Sequence, residues 1–151
     1  MRFVTVKNEF FSLCDFDKEL LEKKNRRPHL LVVSLRYRDR FYDFAVPLRS
    51  NIAPNTPKSQ YFPLPPRPST KPHHRHGLHY IKMFPITSQY QEKFWTGKDP
   101  SFLLYQKIIE DNRKQIISEC QAYLDAYADG KIPEYSVRID AIIKKLFLSE
   151  E

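Results

Sequence analysis

Three glycines, two cysteines and one tryptophan in 151 residues each close off a class of protein. So few glycines leave no phosphate-binding loop of the Gly-rich kind and no dinucleotide fingerprint. Cys14 and Cys120 stand alone, without a CxxC pair or zinc spacing, so reduced core thiols in a cytoplasmic protein are expected. No apolar run approaches the roughly 20 residues that cross a bilayer. The opening MRFVTVKNEFFSLCDF carries charges throughout, so neither a secretory signal nor a membrane partner is expected. The most informative absence is of negative charge: no acidic residue lies between Asp43 and Glu92.

Cations and rings fill that gap. Arg49, Lys58, Arg67, Lys71, Arg75 and Lys82 fall in it, with four of the five histidines and most of the twelve prolines. The whole chain carries a formal charge of +7 and a pI near 9.4. Such a surface favours a phosphate-rich partner, with nucleic acid ahead of a plain basic, soluble surface. The run KKNRR, which contains Arg26 and Arg27, adds to the same field, although a solvated loop would read identically.

The hydrophobic pattern predicts one α+β domain over residues 1–151. Arg2 to Val6 alternates as a first strand, and Asp15 could cap a short helix to about Lys24. Leu30 to Leu48 reads as a hairpin around the pair Asp39–Arg40, with apolar residues on both faces of its first strand, as in a strongly curved sheet. Asn51 to Gly77 is too proline-rich for regular structure and reads as a basic loop. Leu78 to Ile86 returns to strand. Asp99–Pro100 starts a long helix to about residue 129, whose stripe of Phe102, Tyr105, Ile109, Ile116, Cys120, Tyr123 and Tyr127 is core. A last helix spans about Pro133 to Leu148.

His73, His74 and His76 invite a metal reading, but they crowd together and no cysteine or acid lies near them. No metal and no cofactor is expected. Metal-independent phosphodiester chemistry on RNA fits better: a base for the 2′-hydroxyl, cations for the phosphorane and an acid for the leaving oxygen. His29, Arg49, Ser50, His76, His79, Tyr80 and Lys82 are the candidates. Each has a bland alternative, such as a turn hydroxyl for Ser50 and a core histidine for His79. Lys58, Arg67, Lys71, Arg75, His74 and His76 would grip RNA, and Tyr61, Phe62 or Tyr80 could stack on bases. A non-catalytic RNA-binding module is the competing reading.

The order of segments resembles the ToxN/AbiQ family, the endoribonuclease toxins of type III toxin–antitoxin systems. RFVTV is similar to the family's opening strand, RPHLLVVSL (Arg27 to Leu35) to its Arg-Pro-aromatic strand start, and FAVPLRS (Phe44 to Ser50) to its strand ending in Pro-Leu-Ser/Thr-Ser. HGLHYIKMFPI (His76 to Ile86) resembles a later strand with a Met-x-Pro-Ile ending, and LLYQKIIEDNRKQI (Leu103 to Ile116) the long helix. The resemblance implies a compact, curved antiparallel sheet related to the MazF/Kid barrel core, with helices around it. It implies RNA cleavage that leaves a 2′,3′-cyclic phosphate, cellular or phage mRNA as substrate, and inhibition by a small RNA pseudoknot processed from a repeated precursor and held in a closed protein–RNA assembly. Ser50 matches the catalytic serine after Pro-Leu, Arg49 the residue before it, and His29 an active-site position after Pro28. Arg49 departs from the usual Ser or Thr, the nearest echo of the family's Ser-Pro-Lys is Thr56-Pro57-Lys58, and HHRH has no counterpart.

Overall fold

The computed structural model describes residues 2–20, 30–68, 70–93 and 100–147. Arg26, Arg27, His29 and the expected cap Asp99 lie outside them.

Strand β1 (Arg2–Val6) and helix α1 (Asn8–Leu13) open the chain. Strands β2 (Leu30–Tyr37) and β3 (Arg40–Ile52) form the hairpin. Its turn sits one residue earlier than expected, because Tyr37 pairs with Arg40 and leaves Arg38 and Asp39 as the loop. Both have positive φ, 48° and 68°, which is the type I′ geometry that matches strand twist. Neither is glycine, so the turn needs outside support. Arg38 Nε and Nη2 donate to the Asp140 carboxylate at 2.9 and 3.2 Å, and Tyr37 donates to the same group at 2.9 Å.

β3 is the spine of a seven-stranded sheet. β2 covers one of its edges; β5 (Arg75–His79) and then β6 (Phe84–Ile86) share the other. Leu48 faces Leu78 and Ala45 faces Phe84, so three steps on β3 meet six on the other segment. The three surplus residues, Tyr80 to Lys82, coil into a single 3₁₀ turn. Leu78 to Ile86 is therefore two strands with a step between them, and the expected alternation of faces ends at His79. The sheet order is completed by β4 (Tyr61–Leu64) outside β5, and by β1 and β7 (Gln91–Lys93) beyond β2. It is strongly curved in sense but open rather than a closed barrel.

β4 corrects the reading of residues 51–77 as one loop. Pro63 lies in an edge strand, where a missing N–H can face away from the ladder. Its partner Gly77 lets the two backbones close in.

The alternating faces each receive a helical layer. Leu31, Val33, Leu35, Tyr37, Phe44 and Leu78 pack under α2 (Pro100–Asp111) and α3 (Arg113–Ala128), which contribute Phe102, Tyr105, Ile109, Ile116, Cys120 and Tyr127. Val4, Val32, Ala45 and Phe84 pack against α1 and α4 (Ile139–Leu146). The predicted long helix is thus broken at Asn112. There the side-chain Nδ2 donates to the Ile108 carbonyl at 2.7 Å and competes with the backbone ladder.

The last helix begins at Ile139 rather than near Pro133, and the segment after α1 is a pair of turns rather than a helix from Asp15. Asp17, not Asp15, does the capping. Its two oxygens accept from Glu19 N at 2.9 Å and from Arg138 N at 2.7 Å, tying that turn to the approach to α4.

Candidate active site

The end of β3 changes partners within a few residues, and the candidate chemistry gathers there. Leu48 and Arg49 pair with Leu78 and Gly77; the register then slips before Ile52 meets Arg75. Ser50 and Asn51 sit in this irregularity, half-buried, at the kind of bulge that re-aims side chains. Arg49 and Gly77 share a face, and His79, two residues on, lies diagonally across from Arg49. The guanidinium Nη1 approaches His79 Nδ1 at 3.4 Å.

That contact fixes a tautomer. A guanidinium can only donate, so Nδ1 accepts and the ring proton of neutral His79 sits on Nε2. Burial pushes the imidazole down to about 3, with Arg49 and Lys82 adding to the effect. Arg49 is itself pushed below the usual guanidinium range by burial. His79 is consequently a neutral N–H donor at physiological pH, next to a cation, rather than a group that titrates near 7.

His76 carries the opposite tautomer. Its Nδ1 lies 2.9 Å from the Pro65 carbonyl and must donate. Burial lowers its pKa, the Pro65 bond opposes that, and Arg67 lowers it further. Its ring rests against Tyr105 at 4.9 Å between centroids. His76 and His79 point to opposite faces of β5, so they do not act on one phosphate as a pair.

These buried neutral histidines give a pH dependence. Below the ordinary histidine value the unfolded chain takes up a proton that folded His79 refuses until about pH 3. Stability should therefore fall as pH drops through that window, by on the order of 2 kcal/mol between pH 7 and 5 for His79 alone. Urea midpoints at the two pH values should differ clearly for the native chain and less for His79→Gln. An equal difference in both would show that His79 does not carry the effect.

Tyr80 and Lys82 are placed otherwise. The Tyr80 side chain is fully buried, donates to Glu119 Oε1 at 2.7 Å, and is raised far above its usual range, chiefly by burial. Lys82 Nζ donates to Glu19 Oε1 and to the Tyr135 carbonyl, both at 2.7 Å, with only 8% of its side chain exposed. It holds two loops onto the step between β5 and β6. Nothing in the sequence announces Glu19 as its partner, 63 residues away.

The cationic residues line the outside of the same end. Lys58, Lys71 and Arg75 are exposed, Arg67 and His74 are half-buried, and Tyr61 and Phe62 are buried in β4. His73 takes a positive φ of 66° in the turn that leads to β5. Among the described residues no three His, Cys, Asp or Glu side chains converge. The cavity beside Arg2, Phe3, Leu31 and Ile109, of about 310 Å³, does not touch this cluster. Arg49 and Ser50 are half-buried at this end of β3, and His79 beside them is 6% exposed. No helix among the described residues is long and apolar enough to cross a membrane.

No family model matches the chain, and no curated protein matches it in sequence. Its fold, however, is shared end to end with solved structures from bacterial antiviral defence. One is a chain from an antiviral system that a processed non-coding RNA regulates, with a TM-score of 0.71, 17% identity and 96% of both chains covered. The other is AbiQ, a lactococcal anti-phage endoribonuclease of the type III toxin–antitoxin class, with a TM-score of 0.69, 18% identity and coverage of 99% of this chain and 98% of AbiQ. The architecture is that of AbiQ, as the ordered segments implied.

Proposed function

We propose that this protein is an endoribonuclease of the RNA-regulated antiviral type, cutting single-stranded RNA at Arg49, Ser50 and His79. The observation that carries the reading is the Arg49–His79 contact beside the Ser50 bulge, in a fold shared over nearly its whole length with an endoribonuclease. The reaction is attack of a 2′-hydroxyl on the adjacent phosphorus with departure of the 5′-oxygen, which leaves a 2′,3′-cyclic phosphate. Arg49 would offset charge on the non-bridging oxygens, and the Ser50 hydroxyl and the His79 Nε2–H would donate to them. Donors already aimed at developing charge need no rearrangement as it forms. With His79 neutral and its Nδ1 engaged, the base for the 2′-hydroxyl would be another group.

The regulator would be a small structured RNA, processed by the protein itself, and the substrates cellular or phage transcripts in the cytoplasm. A positive field unbroken by acid from Arg49 to Lys82 supports such partners. No acidic residue lies in the sequence from Arg49 to Lys82 to anchor a hard cation, which supports metal-independent chemistry. Purified protein should cut a single-stranded RNA equally well with and without EDTA and yield cyclic-phosphate ends. Cleavage abolished by EDTA would overturn the metal-free mechanism. Salt-sensitive binding that yields no new RNA ends would leave only an RNA-binding module.

A further inference from the structure

Arg67 differs from the other cations of the basic segment in how firmly it is held. Its guanidinium lies over the Phe102 ring at 5.3 Å. Its backbone is locked in a turn closed from both sides: Arg67 N donates to Thr70 Oγ1 at 3.0 Å and Thr70 N donates to Arg67 O at 2.9 Å. Just before it, the Pro65 carbonyl accepts from His76 Nδ1 at 2.9 Å and from the Tyr105 hydroxyl at 3.4 Å. Just after it, Lys71 N donates to Asn51 Oδ1 at 2.8 Å. Pro65 and Lys71, on either side of Arg67, are thus tied to β5, α2 and the residue that follows Ser50. Among the described residues, exposed Lys58 and Lys71 have no such seat for their side chains, and exposed Arg75 donates to the nearby His73 carbonyl at 3.3 Å.

The guanidinium carbon lies over the Phe102 ring while the residue stays half-exposed, so part of the side chain is accessible to a ligand. No acidic side chain among the described residues pairs with it. A turn keeps its first and last Cα within about 7 Å, and Lys71 is bonded beside Ser50. By these links the Arg67 Cα lies within about 22 Å of the Ser50 Cα, a few nucleotides of extended single strand from the proposed cleavage point.

We infer that Arg67, seated over Phe102, is a specificity-determining residue that stacks on and reads an unpaired purine within a few nucleotides of the bond that is cut. An arginine plane stacks on any base, and its N–H edge can donate to the N7 acceptor that adenine and guanine both carry and pyrimidines lack. A lysine would serve a phosphate as well but could do neither of these things.

The inference rests on the endoribonuclease reading, and two measurements separate them. On a pool of random-sequence RNA, sequencing of the cut ends should show a purine preference at one position within a few nucleotides of the cut. Arg67→Lys should flatten that preference by about tenfold, whatever the overall rate. Phe102→Leu, which keeps the core apolar and removes the ring, should flatten it too. A preference unchanged in both variants, or none in the native protein, would overturn the role. Should the native protein cut no RNA, the catalytic reading fails, and anisotropy with short oligomers of A, G, C and U still decides for Arg67. Arg67→Lys must then narrow the gap between purine and pyrimidine oligomers; a uniform loss of affinity would mark a phosphate contact only.

Discussion

Arg49→Ala and Ser50→Ala should each slow cleavage of single-stranded RNA by about 10²-fold or more while leaving most of the RNA affinity in place. On the proposed reading, affinity would be spread over many exposed cations, so removing one would cost little. The transition state would instead meet a few groups at the end of β3. Removing a single pre-aimed donor of this type typically costs a factor of 10² to 10³ in turnover. Arg49→Lys should be intermediate, since it keeps the charge but loses the planar fork that reaches His79.

His79 offers a sharper discrimination. A neutral donor can be replaced by another neutral donor, so His79→Gln should retain more activity than His79→Ala. The native rate should show no histidine titration from His79 between pH 5 and 8. Native turnover in Arg49→Ala, Ser50→Ala and His79→Ala alike would place the chemistry elsewhere on the molecule.

Gly77→Ala is the second large effect, and it acts through the backbone alone. A Cβ at this position would stand 2.1 Å from the Phe62 carbonyl oxygen and 3.2 Å from the Pro63 Cα. Both are main-chain atoms of the facing strand and cannot swing aside. β4 and β5 would have to separate where Gly77 also pairs with Arg49 across β3. Loss of about 3 kcal/mol or more is expected, at the upper end of overpacking effects. A drop in the urea midpoint measures it. Cleavage should fall as well, because β5 presents His79. An alanine variant with native stability would mean that the β4–β5 pairing relaxes freely.

The sequence disclosed the sheet and the helical layers because their signals are periodic. The alternation from Leu30 to Tyr37 and the stripe from Phe102 to Tyr127 each repeat one rule along a stretch of chain. What it concealed was singular. Proline content argued against β4, yet one edge position tolerates Pro63 if the partner is glycine, and only the register puts Gly77 there. The three-residue step at Tyr80 to Lys82 has no local signature, since His76 to Ile86 is uniformly buried. Charge and motif order singled out Arg49, Ser50 and His79, and the structure brings Arg49 and His79 into contact beside the Ser50 irregularity. The seats of Lys82 on Glu19 and of Arg67 on Phe102 join distant segments, and no spacing rule connects them.

The hairpin turn at Arg38 and Asp39 has a consequence for how the protein is made. Two non-glycine residues with positive φ disfavour the turn by roughly 1–2 kcal/mol each, and the group that braces them is Asp140. Asp17 likewise waits for the backbone of Arg138. A ribosome elongating at about 5–20 residues per second thus releases the central hairpin and the end of β3 well before their clasp exists. The nascent chain can close that clasp only when α4 has emerged. The RNA-cutting surface proposed on β3 would then be withheld until about ninety residues after Ser50 have been synthesised.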